Sequence, residues 1–178
     1  MSGRLETERL ALRLPRLDDA PAAAEYLADP EVMRFLGGET VPPEQAPAVV
    51  QKWLDRWERN GVGHFVVERR EDGRFVGRVG ITLWNTRTWV HATPEEPDAQ
   101  HELGWTLVRA CWGHGYATEA ARAVRDWVRR ERGVERLISL IAPGNVASQG
   151  VAQRLGATPT QTVQLADSGD AVVWVHPA

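Results

Sequence analysis

The apolar positions change period along the chain, and each change marks an element. Leu10, Leu12 and Leu14 alternate with Ala11 and Arg13, which predicts a first strand with one buried face. Asp18 or Asp19 then caps a short helix, with Pro21 in its first turn and Ala22 to Leu27 following. Pro30 opens a second short helical turn through Val32, Met33, Phe35 and Leu36, ended by Gly37 and Gly38. Pro42 and Pro43 introduce a longer helix. Its apolar stripe is Val49, Val50, Trp53, Leu54 and Trp57, and Asn60-Gly61 closes it. Strands at 64–69 and 75–84 flank Asp72-Gly73, a hairpin signal. Residues 85–98 read as a long loop with a short strand near Trp89-Val90, and 100–108 as a further strand.

The clearest period is helical, over 116–132. Ala117, Ala120, Ala121, Val124, Trp127 and Val128 share one face, arginines dominate the other, and Gly133 is a natural C-cap. A strand at 136–141 follows, then Pro143-Gly144-Asn145, a helix at 146–155 stopped by Gly156, and strands at 160–165 and 171–175. A turn at Asp167-Ser168-Gly169 joins the last two. Hairpins and helical crossovers in this order predict an α/β (α+β) chain, a mixed sheet with helices on its faces, as a single domain over 1–178.

Composition narrows the function. The chain has 178 residues, enough to bury a core without metal or disulfide staples. Its net charge of -3 argues against a nucleic-acid binder working by bulk electrostatics. Cys111 is the only cysteine, which suits a reducing compartment. No signal-like N-terminus and no membrane-length apolar run occurs, so the cytoplasm is the expected location and no membrane partner is expected.

Candidate chemistry lies where a strand gives way to the long helix. Gly113 and Gly115 let backbone amides approach a ligand, and the helix N-terminus adds free donors and a favourable dipole, which suits a pyrophosphate. The same glycines could simply permit a tight turn. A Walker A loop is excluded, because no Gly-Lys-Ser/Thr occurs, and Thr118 stands where a dinucleotide fingerprint needs a small third residue.

The segment Trp112-Gly113-His114-Gly115-Tyr116-Ala117-Thr118-Glu119-Ala120 resembles the acetyl-CoA loop of the GNAT superfamily, in the form of the Rim-type (RimJ/RimL-like) ribosomal-protein N-terminal acetyltransferase branch. Glu102-Leu103-Gly104-Trp105 resembles that branch's fourth strand. Asn145-Val146-Ala147-Ser148 with Leu155-Gly156 resembles its last helix, Leu5 to Arg13 its opening, and Asp29-Pro30-Glu31-Val32-Met33 an early segment. The resemblance implies a mixed, mostly antiparallel sheet of about seven strands, flanked by about four helices and splayed between strands 4 and 5. Those strands map to roughly 100–108 and 136–141.

It further implies acetyl-CoA as co-substrate, no metal, and a primary amine as acceptor. The acceptor is either a protein N-terminus or a small molecule, attacked in a ternary complex. A homodimer is compatible with it. Loop residues Trp112, Gly113, His114, Gly115, Tyr116, Ala117 and Thr118 would hold the CoA pyrophosphate, backbone at Leu107 and Val108 the pantetheine amides, and Asn145 and Ser148 would face the pantetheine. A binding module that keeps acyl-CoA affinity without turnover is the alternative.

Amine attack on a thioester needs a route for the amine proton and a donor for the departing thiolate. Glu102 is the candidate base; the other reading is a solvated strand residue. His101 points to the opposite face and replaces it if the register slips by one. His114 is either a solvated loop residue or catalytic. Asn145 is a natural N-cap with Ser148 as its partner, and Ser148 could also bond the thiolate. Many relatives use a tyrosine further along this helix, where Ala152 stands here. Helix-dipole stabilisation suffices for Glu119, and Cys111 is either a buried hydrophobe or an acyl carrier. Trp84, Trp89 and Trp105 are candidates for the acceptor cleft.

Overall fold

The computed structural model describes residues 3–166 and 168–178, so Asp167 of the expected last turn lies outside the described residues. Its strands are β1 (Arg4–Glu6), β2 (Leu10–Arg13), β3 (His64–Arg69), β4 (Phe75–Asn85), β5 (Ala99–Leu107), β6 (Leu137–Ile141), β7 (Thr158–Leu165) and β8 (Gly169–Val175). Its helices are α1 (Ala20–Leu27), α2 (Pro30–Met33), α3 (Ala46–Asn60), α4 (Tyr116–Arg132) and α5 (Val146–Arg154), with short 3-10 turns between. One sheet runs in the order β1-β2-β3-β4-β5-β6-β8-β7, and among the described residues only the β5–β6 pair is parallel. The strand and helix counts expected from sequence each fall one short. The additional strand is β1, a three-residue edge that pairs Leu5 with Leu12 and is too short to show a period.

Each face of the sheet is covered differently. The odd-numbered positions of β3, β4 and β5 (Phe65, Val67, Val79, Ile81, Leu83 and Leu103) are fully or almost fully buried in the cluster that holds Ala120, Ala121, Val124 and Val128 of α4. Each such Leu, Ile or Val contributes about 1.5–3 kcal/mol by leaving water. Trp57 closes the end of this core, with its ring 4.8 Å from Phe65, and Phe65 meets Trp127 edge-on at 5.2 Å. A second cluster covers the opposite face: Ala23, Tyr26 and Leu27 of α1 and Val50 and Trp53 of α3, with Phe75 against it.

Two expectations near the N-terminus need correction. The strand β2 is buried on both faces, because Ala11 is covered as well as Leu10 and Leu12, while Leu14 lies past its end and is exposed. Asp19 occupies the N-cap position of α1 but makes no cap bond. Its carboxylate instead accepts from Arg13 at 2.6 and 3.0 Å and from the Arg16 N–H at 2.7 Å. A partly buried guanidinium outcompetes a helix amide for a carboxylate.

Between β4 and β5, residues 86–98 form an arm. Its expected short strand shrinks to one bridge, Trp84↔His91. Trp89 has φ 54, the left-handed region that a bulky residue enters only in a tight turn. Among the described residues, no helix is long and apolar enough to cross a membrane.

Candidate active site

The sheet opens at its one parallel pair. Strands β5 and β6 pair at His101↔Leu137 and Glu102↔Ile138, then run on to Leu107 and Ile141 without pairing to each other. Ser139 sits at the fork. Its hydroxyl donates to the Leu103 C=O at 2.6 Å and lies 2.9 Å from His176 Nε2. A hydroxyl has one proton, so His176 must carry its own on Nε2 and donate to Ser139. Nδ1 is then a buried acceptor without a partner among the described residues, and burial, helped by Arg125 and Arg129, pushes the His176 pKa down to about 4.

Strand alternation decides which backbone groups face the opening. The Val108 N–H donates to Val76 C=O at 3.0 Å, so the even-numbered residues of β5 look toward β4. The Leu107 C=O accepts from Trp112 Nε1 at 2.9 Å on the other side. Facing the gap are therefore the N–H and C=O of Trp105 and the N–H of Leu107. The expected pair Leu107 and Val108 is corrected: Val108 is spent on β4, and Trp105 takes its place.

The loop before α4 ties down its carbonyls and leaves its amides free. Gly113 and Gly115 both have φ 78, where a side chain would be strained. Among the described residues, the amides of 113–118 make no hydrogen bond; the first donor of the helix is Glu119 N–H, to Gly115 C=O at 3.1 Å. Arg9 Nη1 donates to His114 C=O at 2.9 Å, and His114 Nδ1 to Trp112 C=O at 2.8 Å. The Arg9 guanidinium lies 4.7 Å from the centre of the Tyr116 ring, and the His114 ring stacks on Tyr116 at 5.5 Å. Glu119 accepts from Arg9 Nη2 at 2.6 Å, Thr7 Oγ1 at 2.6 Å and the Arg9 N–H at 2.9 Å. It fastens the N-terminal arm to α4, which is more than dipole stabilisation. Thr118 Oγ1 is buried in the same wall without a partner among the described residues.

The fork and the loop border one cleft of about 1140 Å³, whose far wall is α2 and α5. Arg9, Arg34, Arg122 and Arg154 rim it, an anion-attracting border on a chain of net charge -3. Free amides, a helix dipole and an orphaned hydroxyl together suit a pyrophosphate, so the residues present fit coenzyme A. Asn145 caps α5 by accepting from Ser148 N–H at 3.1 Å. Ser148 Oγ accepts from Trp105 Nε1 at 3.2 Å, and its own proton goes to no group among the described residues. Ala152, by contrast, is fully buried against Ile141, Ala157 and Trp174, away from the cleft.

Glu102 lies at the fork on the opposite face, 8% exposed. Burial raises its pKa to about 7, against the pull of the Leu140 N–H, Arg56, the Trp84 N–H and Arg78. Among the described residues the Trp84 N–H makes no hydrogen bond of standard geometry, and burial outweighs these groups. Its Oε1 and His64 Nε2 stand 3.1 and 3.3 Å from where a Gly104 Cβ would be. Burial, then the charges of Arg78 and Arg56, holds His64 well below the usual histidine range, so it is neutral. His101 points to the other face, as alternation requires.

The three candidate tryptophans do not come together. Trp105 shares the α4 face and bonds Ser148 in the coenzyme half. Trp84 lies on the Glu102 face, 4.4 Å from the His91 ring, and Trp89 is out on the arm. Cys111 is 6% exposed in the core, and burial pushes its thiol up, which disfavours a nucleophilic thiolate. Sequence reasoning did not single out Arg9, His64, Arg56, Arg78 or the Ser139–His176 pair. Only the sheet register carries His64 to Gly104, and nothing local separates these arginines from the chain's others.

A model of the acetyltransferase (GNAT) domain family matches residues 9–158. The chain belongs to the GNAT acetyltransferase family. It is 32% identical over 165 residues to YkkB of Bacillus subtilis (strain 168), covering 90% of this chain and 88% of that protein. The acetyltransferase of Agrobacterium tumefaciens str. C58 superposes with a TM-score of 0.78 at 31% identity, covering 98% of this chain and 94% of that one. RimL, a ribosomal L7/L12 alpha-N-protein acetyltransferase solved in complex with coenzyme A, shares the fold at a TM-score of 0.74 and 16% identity, over 96% of this chain and 95% of that one. As a GNAT acetyltransferase the chain is an acyltransferase, which moves an acetyl group from acetyl-CoA to an amine.

Proposed function

We propose that the cleft holds acetyl-CoA with its diphosphate on the amides of 113–118 and its pantetheine along the parted edge of β5, and that the amine approaches from the Glu102 face. The observation that carries this is the row of unbonded amides at the head of α4, opening onto a fork whose other face holds a buried carboxyl. Bound acetyl-CoA supplies the thioester carbon that the amine attacks.

The chain's own residues do the rest. Glu102 takes the amine proton: with a pKa of about 7 it is largely ionised where an α-amine, pKa about 8, still has a neutral fraction. Ser148 keeps a free O–H to donate to the departing sulfur, with Trp105 Nε1 holding its oxygen in place. Asn145 sets the start of α5 so that Ser148 faces the cleft. The raised pKa of Cys111 favours direct transfer in a ternary complex over a thiol relay.

The acceptor is a primary amine, with a protein N-terminal α-amine and a small-molecule amine as the two classes the fold serves. Incubating the protein with labelled acetyl-CoA and a cell extract, then reading label in amines and N-termini by mass spectrometry, tests both. Label on one class identifies the acceptor; coenzyme A affinity with label on neither leaves a binding module and ends the proposal.

A further inference from the structure

Arg56 of α3 and Arg78 of β4 face each other under α3, both half-buried, on the face that carries Glu102. Among the described residues neither makes a salt bridge or hydrogen bond of standard geometry, although Arg78 lies near enough to the Tyr26 hydroxyl to act on it. Arg78 Nε is buried without a partner, and its guanidinium rests 5.1 Å from the centre of the Trp53 ring. Burial, and then the charge of Arg78, holds Arg56 below the usual arginine range.

Arg13 shows how this fold treats a structural arginine on the same face. It meets Asp19 and Glu68, each at 2.6 Å. Two half-buried guanidiniums answered only by the charge of Glu102 are costly, and a chain that keeps them side by side has a use for their charge. The charge can be summed by residue. Arg56 and Arg78, with Arg59 also acting on Arg56, bring three positive charges, ionised Glu102 brings one negative charge, and His64 is neutral. Positive charge is left over beside the base. An anion carried by the incoming substrate balances it.

We infer that Arg56 and Arg78 receive a carboxylate carried by the acceptor itself, so that the preferred substrate is an amine bearing a carboxylate. The fork geometry of guanidinium suits that group. The inference rests on the proposal that the amine enters on the Glu102 face. Two sources share the chemistry: a free amino acid, and a peptide N-terminus with an acidic residue next in the chain.

Thiol release from acetyl-CoA should be compared for serine against serinamide, and for Ser-Asp-amide against Ser-Asn-amide. The acid form of one pair should exceed its neutral partner at least tenfold in kcat/KM, and the pair that does so names the source. Arg56→Gln and Arg78→Gln should each cut that preference about fivefold or more, chiefly through KM, with coenzyme A affinity unchanged. Equal rates for acid and neutral forms overturn the inference while the proposed function stands. So does a preference that survives in the folded double variant. Coenzyme A binding without turnover on any amine removes the proposed function, and the inference with it. The unmodified protein alone decides the first comparison, so a variant that fails to fold does not stop the test.

Discussion

Glu102 and His64 meet over Gly104, and their titration there is set by what water can no longer do for them. For Glu102 the folded pKa of about 7 lies above the ordinary carboxyl value of 4.5, so the folded state holds the proton more tightly than the unfolded one. Stability from this group is therefore present below about pH 4.5 and lost as pH rises to about 7. Glu102→Gln should melt like the parent near pH 4.5 and be more stable by on the order of 1–3 kcal/mol at pH 8, read by thermal melts at the two pH values. The same variant should lose about 10²–10³ in kcat/KM and its rising limb through about pH 7, with coenzyme A binding intact. Greater stability with lower activity, in one substitution, is the pattern of a strained functional group. An unchanged pH profile would remove Glu102 as base.

At the scale of elements, the loop and α4 form one device, in which Arg9 and Glu119 hold the carbonyl side so that the amides point out. Gly115→Ala forces a side chain into φ 78 and should cost about 1–2 kcal/mol in stability. Coenzyme A affinity by calorimetry should fall about tenfold, and an affinity within twofold of the parent would mean the loop amides do not carry the ligand. This element was legible in the sequence: the helix runs over Tyr116–Arg132 as its period required, because glycine caps mark both ends and its apolar face is unbroken. The register of the loop-facing backbone was not. Whether Trp105 or Val108 faces the gap turns on which side of β5 its neighbour occupies, and no local pattern records that. Likewise Asp19 read as a cap because the guanidinium that claims it sits on another element.

For the whole molecule, the fold was readable from strand and helix order, while the fork was expected only through family resemblance. Its physical cause joins distant positions: Ser139 takes the Leu103 carbonyl and is pinned by His176, 37 residues away. Ser139→Ala leaves that carbonyl unsatisfied and should cost about 1–3 kcal/mol, measured by urea denaturation. The acceptor half was least legible, since Arg56, His64, Arg78 and Glu102 come from three strands and a helix. Coenzyme A at a hundred times its Kd should stabilise the protein by about 2.7 kcal/mol, roughly 5–10 °C in Tm; no shift would end the cleft assignment.

The parted edge of β5 has one more consequence. Trp105 and Leu107 present N–H groups to a gap from within a strand whose neighbours are locked in the ladder. In deuterated solvent these two should trade their protons at the pace of a surface loop, while Glu102 and Gly104 beside them hold theirs for hours. Filling the seam should slow the fast pair and leave the slow pair as they were, which turns a pair of neighbouring amides into a gauge of occupancy that needs no turnover at all.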